Sequence, residues 1–427
     1  MKALKTGFCQ RISKFSPLMF IDNLLFDAVS ENTKSLNAQA INTCGKYNVE
    51  MTKQGIDQRY TPKAVKFIQA LIGELLHNQF NHSMEVGWFK TFNRVLIKDS
   101  TKFDVSENLA KQLPGSGGAA SKAGVCIQYE FDIKSGQVND LSIGSSNCND
   151  ITDAKATIAK VKEGDLIIRD SGYSVLSCFK AINQNKAFYI SRLRSSILVY
   201  EKKDNEFVEV DFCKLFNVMT EGKIQRLDKQ VFIGRVEKIP VRLIIDLMPE
   251  AEVNKRKRNT KANNKKRGHK TSSKFMNRAP FNLFITNIDK TVLAPEAITQ
   301  IYKLRWQVEL IFKGWKSVFG IDNNSPMKYD RLMCLLNVRL MLILINWELF
   351  MHKRWQLYET ERKLLSITKC FKTLHEHSKE LRHILTNNCR KLINWAEKIA
   401  KLFESHHWLE KKNNKVGFVE IMTLNVL

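Results

Sequence analysis

The sequence predicts a mixed α/β protein, a sheet-bearing middle flanked by helical regions. Three observations predict it. Apolar residues recur at helical spacing before about residue 88 and again after about 326. Short apolar or alternating runs concentrate between 89 and 193, and one more appears at 281–285. A 427-residue chain that is 44% hydrophobic and 26% charged has the length for more than one domain and the composition of a globular protein.

Residues 64–76 carry the clearest helical stripe of the first region, and Ser35 precedes another short helix. Pairs of helices joined at Gly45 or Gly55 would make a helix-turn-helix; a plain helical packing module fits equally well. From 89 the texture changes to strands. Arg94-Val95-Leu96-Ile97 is an apolar run ending at Asp99. Residues 125–133 alternate, with Val125, Ile127, Tyr129, Phe131 and Ile133 on one face, and 138–143 supply a pairing strand. A helix over 150–162 leads to the strand Leu166-Ile167-Ile168, which ends at Asp170 before a Ser171-Gly172 turn. A short helix over 179–183 and a strand over 187–193 close this part.

Residues 194–278 read as an insertion of short strands at 197–200, 207–212 and 241–245. Its tail, residues 254–274, holds ten Lys or Arg and no acid. That run reads as a solvated or disordered loop, with a phosphate-tracking loop as the alternative. After the strand at 281–285, a long helix starts at Pro295, where Pro and Glu296 suit a first turn. The remainder is helical, with the part from 352 taken as a separate tail. The greasiest stretch, 332–351, contains Asn337, Arg339, Asn346 and Glu348, which are costly in lipid, so it reads as a buried helix.

Charge narrows function. Lys plus Arg is 68 against 43 Asp plus Glu, a formal charge of +25. Such a surplus excludes a generic acidic enzyme and implies a polyanionic partner, nucleic acid before membrane. Nine cysteines without a C-x-x-C pair read as reduced cytosolic thiols, not a disulfide framework or zinc ribbon.

Three acids stand out by position. Asp99 and Asp170 each follow an apolar strand, and Glu309 lies on the long helix. Carboxylates on neighbouring strands repel unless cations sit between them, and oxygen-only ligands favour Mg²⁺ or Mn²⁺ over zinc. Taken singly, each aspartate also reads as an ordinary turn residue. On a continuous helix with Tyr302 at zero, Arg305, Glu309 and Lys316 fall at about 300°, 340° and 320°. Leu304, Val308, Ile311 and Trp315 form the adjoining apolar face at about 180–240°. The arc serves either phosphate and metal binding or an ordinary salt-bridge ladder. A ladder accounts for Arg305 with Glu309 but leaves Lys316, seven residues from Glu309, without a purpose.

Tyr302-x-x-Arg305-x-x-x-Glu309-x-x-x-x-x-x-Lys316 resembles the Y-x2-R-x3-E-x6-K signature of the insertion-sequence family four DDE transposases of bacteria. Asp99-Ser100-Thr101, Asp170-Ser171-Gly172-Tyr173 and Thr286-Asn287 are similar to that family's surroundings, over about 90 to 330. The resemblance implies a ribonuclease-H-like catalytic core over 89–193 and 279–351. A β-rich insertion over 194–278 interrupts it, and helical regions over 1–88 (DNA-binding) and 352–427 (a dimer contact) flank it. It implies that Asp99, Asp170 and Glu309 hold two Mg²⁺ ions, with Mn²⁺ as the substitute. Tyr302, Arg305 and Lys316 would contact DNA, and the basic tail offers Lys255, Arg256, Lys257 and Arg258 as further contacts. The implied activity is cut-and-paste transposition by a homodimer acting on duplex DNA, at the element's inverted repeats and at the target, in the bacterial cytoplasm near the nucleoid. A nuclease or resolvase of the same fold class and an inactive DNA-binding relic are the competing readings. One departure is plain: no Trp lies between Trp88 and Trp306, so Phe207, Phe212 or Phe232 would have to replace the insertion tryptophan that stacks on a flipped base in hairpin-forming members.

Overall fold

The computed structural model describes residues 2–424 apart from Ile12, Glu31, Asn81, 118–120, Arg267 and 411–416. It is a mixed α/β structure with a large sheet, in two compact units. One comprises Met1–Met84, Ser100–Cys148 and Trp306–Lys415; the other comprises Glu85–Asp99, Asn149–Arg305 and Val416–Leu427. The chain therefore crosses between units several times, once inside a strand and once inside a helical segment.

The second unit holds the sheet that matters most here. Strand β1 (Val95–Asp104) enters it with its first half. The hairpin strands β2 (Gly124–Asp132) and β3 (Val138–Ser145) belong to the other unit. Then come β4 (Leu166–Arg169), β5 (Phe188–Arg192), β6 (Val199–Lys203), β7 (Glu206–Glu209), β8 (Arg226–Ile233), β9 (Ile239–Leu247) and β10 (Phe281–Thr286). The order in this unit is β1-β4-β5-β10-β9-β8-β6-β7. β1, β4 and β5 run parallel, in the register Lys98↔Arg169 and Arg169↔Ser191. β10 lies antiparallel to β5 and to β9, so the strands of the 194–278 region extend the same sheet. One face packs a continuous apolar core from Leu96, Ile167 and Tyr189 through Leu243, Ile245 and Ile285. Residues before β1's midpoint are buried on both sides. Beyond Asp99 the burial alternates, with Thr101 and Phe103 in and Lys102 and Asp104 out.

That continuation corrects one expectation. Asp99 is not the end of its strand but its middle, because the Ser100–Asp104 alternation keeps the strand going. Asp170 does follow its strand directly, in extended conformation (φ −68°, ψ 162°), ahead of a 3-10 turn over Ser171–Tyr173.

The first unit is mainly helical. Ser35 caps the Leu36–Tyr47 helix by accepting from the Ala38 N–H, as its position predicts. The stripe at 64–76 forms the Pro62–His77 helix, capped by Thr61. Gly45 and Gly55, however, lie inside helices and not in turns. The Leu36–Tyr47 helix ends instead at Asn48, in the left-handed region at φ 52°. The long helix Tyr329–Glu361 runs unbroken past residue 352 and packs on Pro17–Ala28 and Pro62–His77. It is long and apolar enough to cross a membrane, but 83% of its apolar window is buried in protein. Several of its polar groups find partners there. Asn337 and Asn346 donate to carbonyls one turn back, and Arg339 donates to Asn323 O and Asn324 Oδ1. Trp347 donates to Gly136 O in the β2–β3 turn.

Three further elements differ from expectation. Phe212 begins a helix, Phe212–Glu221, because Asp211 accepts from the Cys213 and Lys214 N–H groups and caps it. The basic run is not a loop. It forms the Glu250–Lys266 helix, followed by Ser273–Arg278; its Lys and Arg are good helix formers, and acids lead while cations end it, complementing the dipole. Arg267, within that run, lies outside the described residues. The helix from Pro295 ends at Tyr302, tightens into a 3-10 turn over Lys303–Arg305, and resumes as Trp306–Ser317.

Candidate active site

The site is built first from strand register. Since Lys98 pairs with Arg169, the next residues along the parallel strands, Asp99 and Asp170, stand side by side. Neighbouring strands are about 4.8 Å apart, and partners in register project to the same face. By the same count Arg192 stands beside Asp170, and Arg192 pairs with Phe284 on β10. A row of Asp99, Asp170, Arg192 and Phe284 therefore crosses four strands, on the face away from the main apolar core. Open α/β sheets bind ligands at this carboxyl end of their parallel strands.

Like charges this close are held by partners. Arg305 Nη1 donates to Asp99 Oδ2 at 3.0 Å, with both side chains mostly buried. The Tyr302 hydroxyl donates to Asp170 Oδ1 at 3.3 Å. Burial, reinforced by the Asp170 charge, pushes the Tyr302 phenol well above its ordinary pKa, so it stays a donor. The ring lies against Phe284 at 5.1 Å, under the Arg192 guanidinium at 5.6 Å. Sequence reasoning missed Arg192, although its place at the end of a short strand marked it.

Behind the row, Lys98 is fully buried. It pairs with Asp153 Oδ2 at 2.6 Å and donates to Thr157 Oγ1 at 3.3 Å, both from the Asp150–Thr157 helix. A lysine directly after the apolar run Val95-Leu96-Ile97 is the only mark of this pair in the sequence. Thr286 and Asn287 hold the end of β10 in place. Thr286 Oγ1 donates to Tyr189 O, while Asn287 accepts from the Tyr189 N–H and donates to Asn183 Oδ1 and Ala187 O. Asp165 is a structural acid, taken up by Arg94 and the Lys162 N–H.

Glu309 and Lys316 belong to the first unit, on the Trp306–Ser317 helix. Glu309 lies in its first turn, half-buried. Val308, Ile311 and Trp315 are buried, as the apolar stripe predicts, and Leu304 is buried before them. The continuous arc drawn through 302–316 does not survive the 3-10 turn: Tyr302 is buried and turned to Asp170. Lys316 also has a protein partner, since its Nζ donates to Lys102 O on β1 at 2.9 Å. Lys316 therefore has a structural contact of its own, contrary to the expectation that a ladder leaves it without a purpose. Among the described residues, no group of three or more His, Cys, Asp and Glu side chains is gathered in a metal-holding cluster. The in-register Asp99 and Asp170 carboxylates nevertheless fit a hard divalent cation: both donors are oxygens, and the pair needs positive charge. In the insertion, Phe212 is buried, whereas Phe207 is 42% exposed, its ring 4.9 Å from Phe232.

Paired carboxylates at the mouth of a parallel sheet, backed by cations, define a class of metal-dependent phosphoryl-transfer enzymes, and sequence comparison agrees. The family described as "Transposase DDE domain" matches residues 90–345, and the chain belongs to that family of DNA-cleaving and strand-transferring enzymes. Divalent-metal dependence follows with it. Its relatives are insertion-sequence transposases. The chain is 29% identical to the transposase for insertion sequence element IS231B of Bacillus thuringiensis subsp. berliner, over 96% of this chain and 90% of that protein. It is 30% identical to the IS231E transposase of Bacillus thuringiensis subsp. finitimus, over 86% and 78%. It is 27% identical to the IS1151 transposase of Clostridium perfringens, over 88% and 83%. Among solved structures, the piggyBac transposase synaptic complex with hairpin DNA covers 98% of this chain and 83% of that one. Identity there is 11% and the TM-score 0.42, too slight a likeness to carry an argument.

Proposed function

We propose that the chain is a cut-and-paste transposase whose Asp99, Asp170 and Glu309 hold two Mg²⁺ ions, with Mn²⁺ as a substitute. The observation that carries this is the register of β1 and β4, which sets the first two carboxylates side by side. Bound divalent ions activate an attacking oxygen and stabilise a leaving one at phosphorus. The chain's own residues orient the acids: Arg305 steadies Asp99 and Tyr302 steadies Asp170. The parallel strands β1, β4 and β5 of the one unit, and the antiparallel pair β2 and β3 of the other, support a ribonuclease-H-like core over 89–193 and 279–351. The 194–278 region is its insertion, 1–88 its DNA-binding region and 352–427 a dimer contact. The partners are duplex DNA, at the element's inverted repeats and at its target, and a second copy of the chain.

The test is cleavage of element-end DNA in Mg²⁺ by Asp99→Asn, Asp170→Asn and Glu309→Gln. Each should abolish nicking while end binding persists, and the losses should not add, because the three act as a unit. Near-wild-type nicking by any one of them removes that residue from the triad.

A further inference from the structure

The helix that carries the basic run sorts its side chains by face. With Lys255 at zero and 100° per residue, Val253, Arg256, Lys257, Thr260 and Asn264 fall within about 100–200°. These are the positions withdrawn from water: Val253 is buried and the other four are half-buried. Lys255, Arg258, Lys261, Lys265 and Lys266 fall within the opposite arc, about 240° to 20°, and all five are exposed. No Asp or Glu follows Glu252 on the helix. From Lys255 to Lys266 the cationic face runs about 16 Å.

Arg256 fixes which face looks outward. Its Nη1 donates to Ala279 O at 3.2 Å and Phe281 O at 2.7 Å, and its Nη2 to Asn282 Oδ1 at 2.6 Å. Those acceptors lie at the start of β10, the strand that also carries Phe284 and Thr286. A guanidinium fork engaged on both terminal nitrogens is an anchor. Burial, then the neighbouring Arg192, pull its pKa below the ordinary arginine value, as befits a group turned into protein.

We propose that the Glu250–Lys266 helix is a rail for the phosphate backbone of duplex DNA, with Lys255, Arg258, Lys261, Lys265 and Lys266 as its contacts and Arg256 as the positioning residue that locks it to β10. The ligand rests on the transposase reading. The division of labour does not, and it withdraws Arg256 and Lys257 from the contact set that the sequence offered. Duplex DNA carries one charge per about 1.7 Å of axis, so a face of this length meets several phosphates at once. Nothing in the arrangement reads bases, and binding should be indifferent to sequence.

The test uses the full chain carrying Asp170→Asn, binding a random-sequence duplex at several salt concentrations in EDTA. Replacing Lys255, Arg258, Lys261, Lys265 and Lys266 together by Ser should reduce the log–log salt slope by up to about 4.5, at about 0.9 per contact. An unchanged slope would overturn the rail. Arg256→Lys keeps the charge but loses the fork. It should weaken binding several-fold and speed hydrogen exchange across Glu250–Lys266. Wild-type exchange together with wild-type affinity would make Arg256 a contact and not an anchor. Should Asp170→Asn still cleave DNA when Mg²⁺ is supplied, the catalytic assignment fails while the salt slope still reports on the rail.

Discussion

Replacing Arg305 by Gln tests whether the acids of the sheet row are held together against their own repulsion. The register of β1 and β4 sets Asp99 and Asp170 about 5 Å apart, the spacing of neighbouring strands. Two unit charges at that distance repel by about 3 kcal/mol at an effective dielectric of 20. Arg305 offsets that cost through its 3.0 Å contact with Asp99, in a pair whose side chains are 17% and 20% exposed. Losing the guanidinium should therefore lower unfolding free energy by about 1–3 kcal/mol without metal, with solvent access trimming the upper figure. Mg²⁺ binding at the same carboxylates supplies the missing charge, so saturating Mg²⁺ should recover at least half of the loss. The assay is guanidinium unfolding of wild type and Arg305→Gln, each in EDTA and in excess Mg²⁺. The same two proteins carrying Asp99→Asn close the cycle. There the repulsion is gone, and Arg305→Gln should cost less than about 1 kcal/mol. A loss of equal size with and without Mg²⁺, or undiminished by Asp99→Asn, would refute the account, because the arginine would then act only by packing.

Two more predictions follow from single contacts. Lys316→Ala removes a donor to Lys102 O and should cost about 0.5–1.5 kcal/mol by thermal or chemical melting. It should lower end cleavage more than nonspecific DNA binding, and normal cleavage would take Lys316 out of the site. Asp22 is fully buried, and although burial alone would raise its pKa, the Arg382 fork at 2.9 Å and Lys46 hold it below the ordinary 3.8. A depressed carboxylate stabilises above its unfolded value and loses that contribution as pH falls through the folded one. Asp22→Asn should thus cost about 3–5 kcal/mol at pH 7 and much less near pH 2, a difference that unfolding curves at the two pH values would expose.

How far the sequence could be read depended on whether a signal was local. The apolar runs at 166–168 and 281–285 became β4 and β10 because burial on both faces selects apolar residues, and the alternation at 125–133 became β2, although Gln128, Glu130 and Asp132 are buried there too. Ser35 and Thr61 cap helices by contacts three residues away. The misreadings came where a distant partner decides. The basic run looks like a loop until Val253 and the Arg256 fork give its helix somewhere to pack, which the run's own composition cannot reveal. Asp99 reads as terminal because the apolar run stops there, whereas the strand continues on the burial of Thr101 and Phe103 alone. Lys98 and Arg192 passed unnoticed because their meaning lies in register: only the pairing Lys98↔Arg169 shows what stands beside what.

The signature spacing itself acquires a physical reason from that register. Asp170 and Asp99 sit on adjacent parallel strands, about 4.8 Å apart. Tyr302 and Arg305 are three residues apart, across a turn that is 3-10 in part, a rise of about 4.5–6 Å at 1.5 to 2.0 Å per residue. A helical segment laid across the two neighbouring acids therefore offers its hydroxyl to one carboxylate and its guanidinium to the other, which is the pairing observed at 3.3 Å and 3.0 Å. A spacing of two would put the donors on different sides of the helix, and a spacing of seven would overshoot the strands by a turn. Tyr-x-x-Arg is thus the interval at which a helix can match a sheet, and in this chain both residues engage acids of the row. Inserting one alanine between Tyr302 and Arg305 breaks the match while leaving every residue of the signature present. Such a variant should lose cleavage as completely as Asp99→Asn, whereas an insertion between Ser325 and Pro326, both exposed, should be tolerated. Retained cleavage after the first insertion would show that the tyrosine and the arginine serve DNA independently of each other.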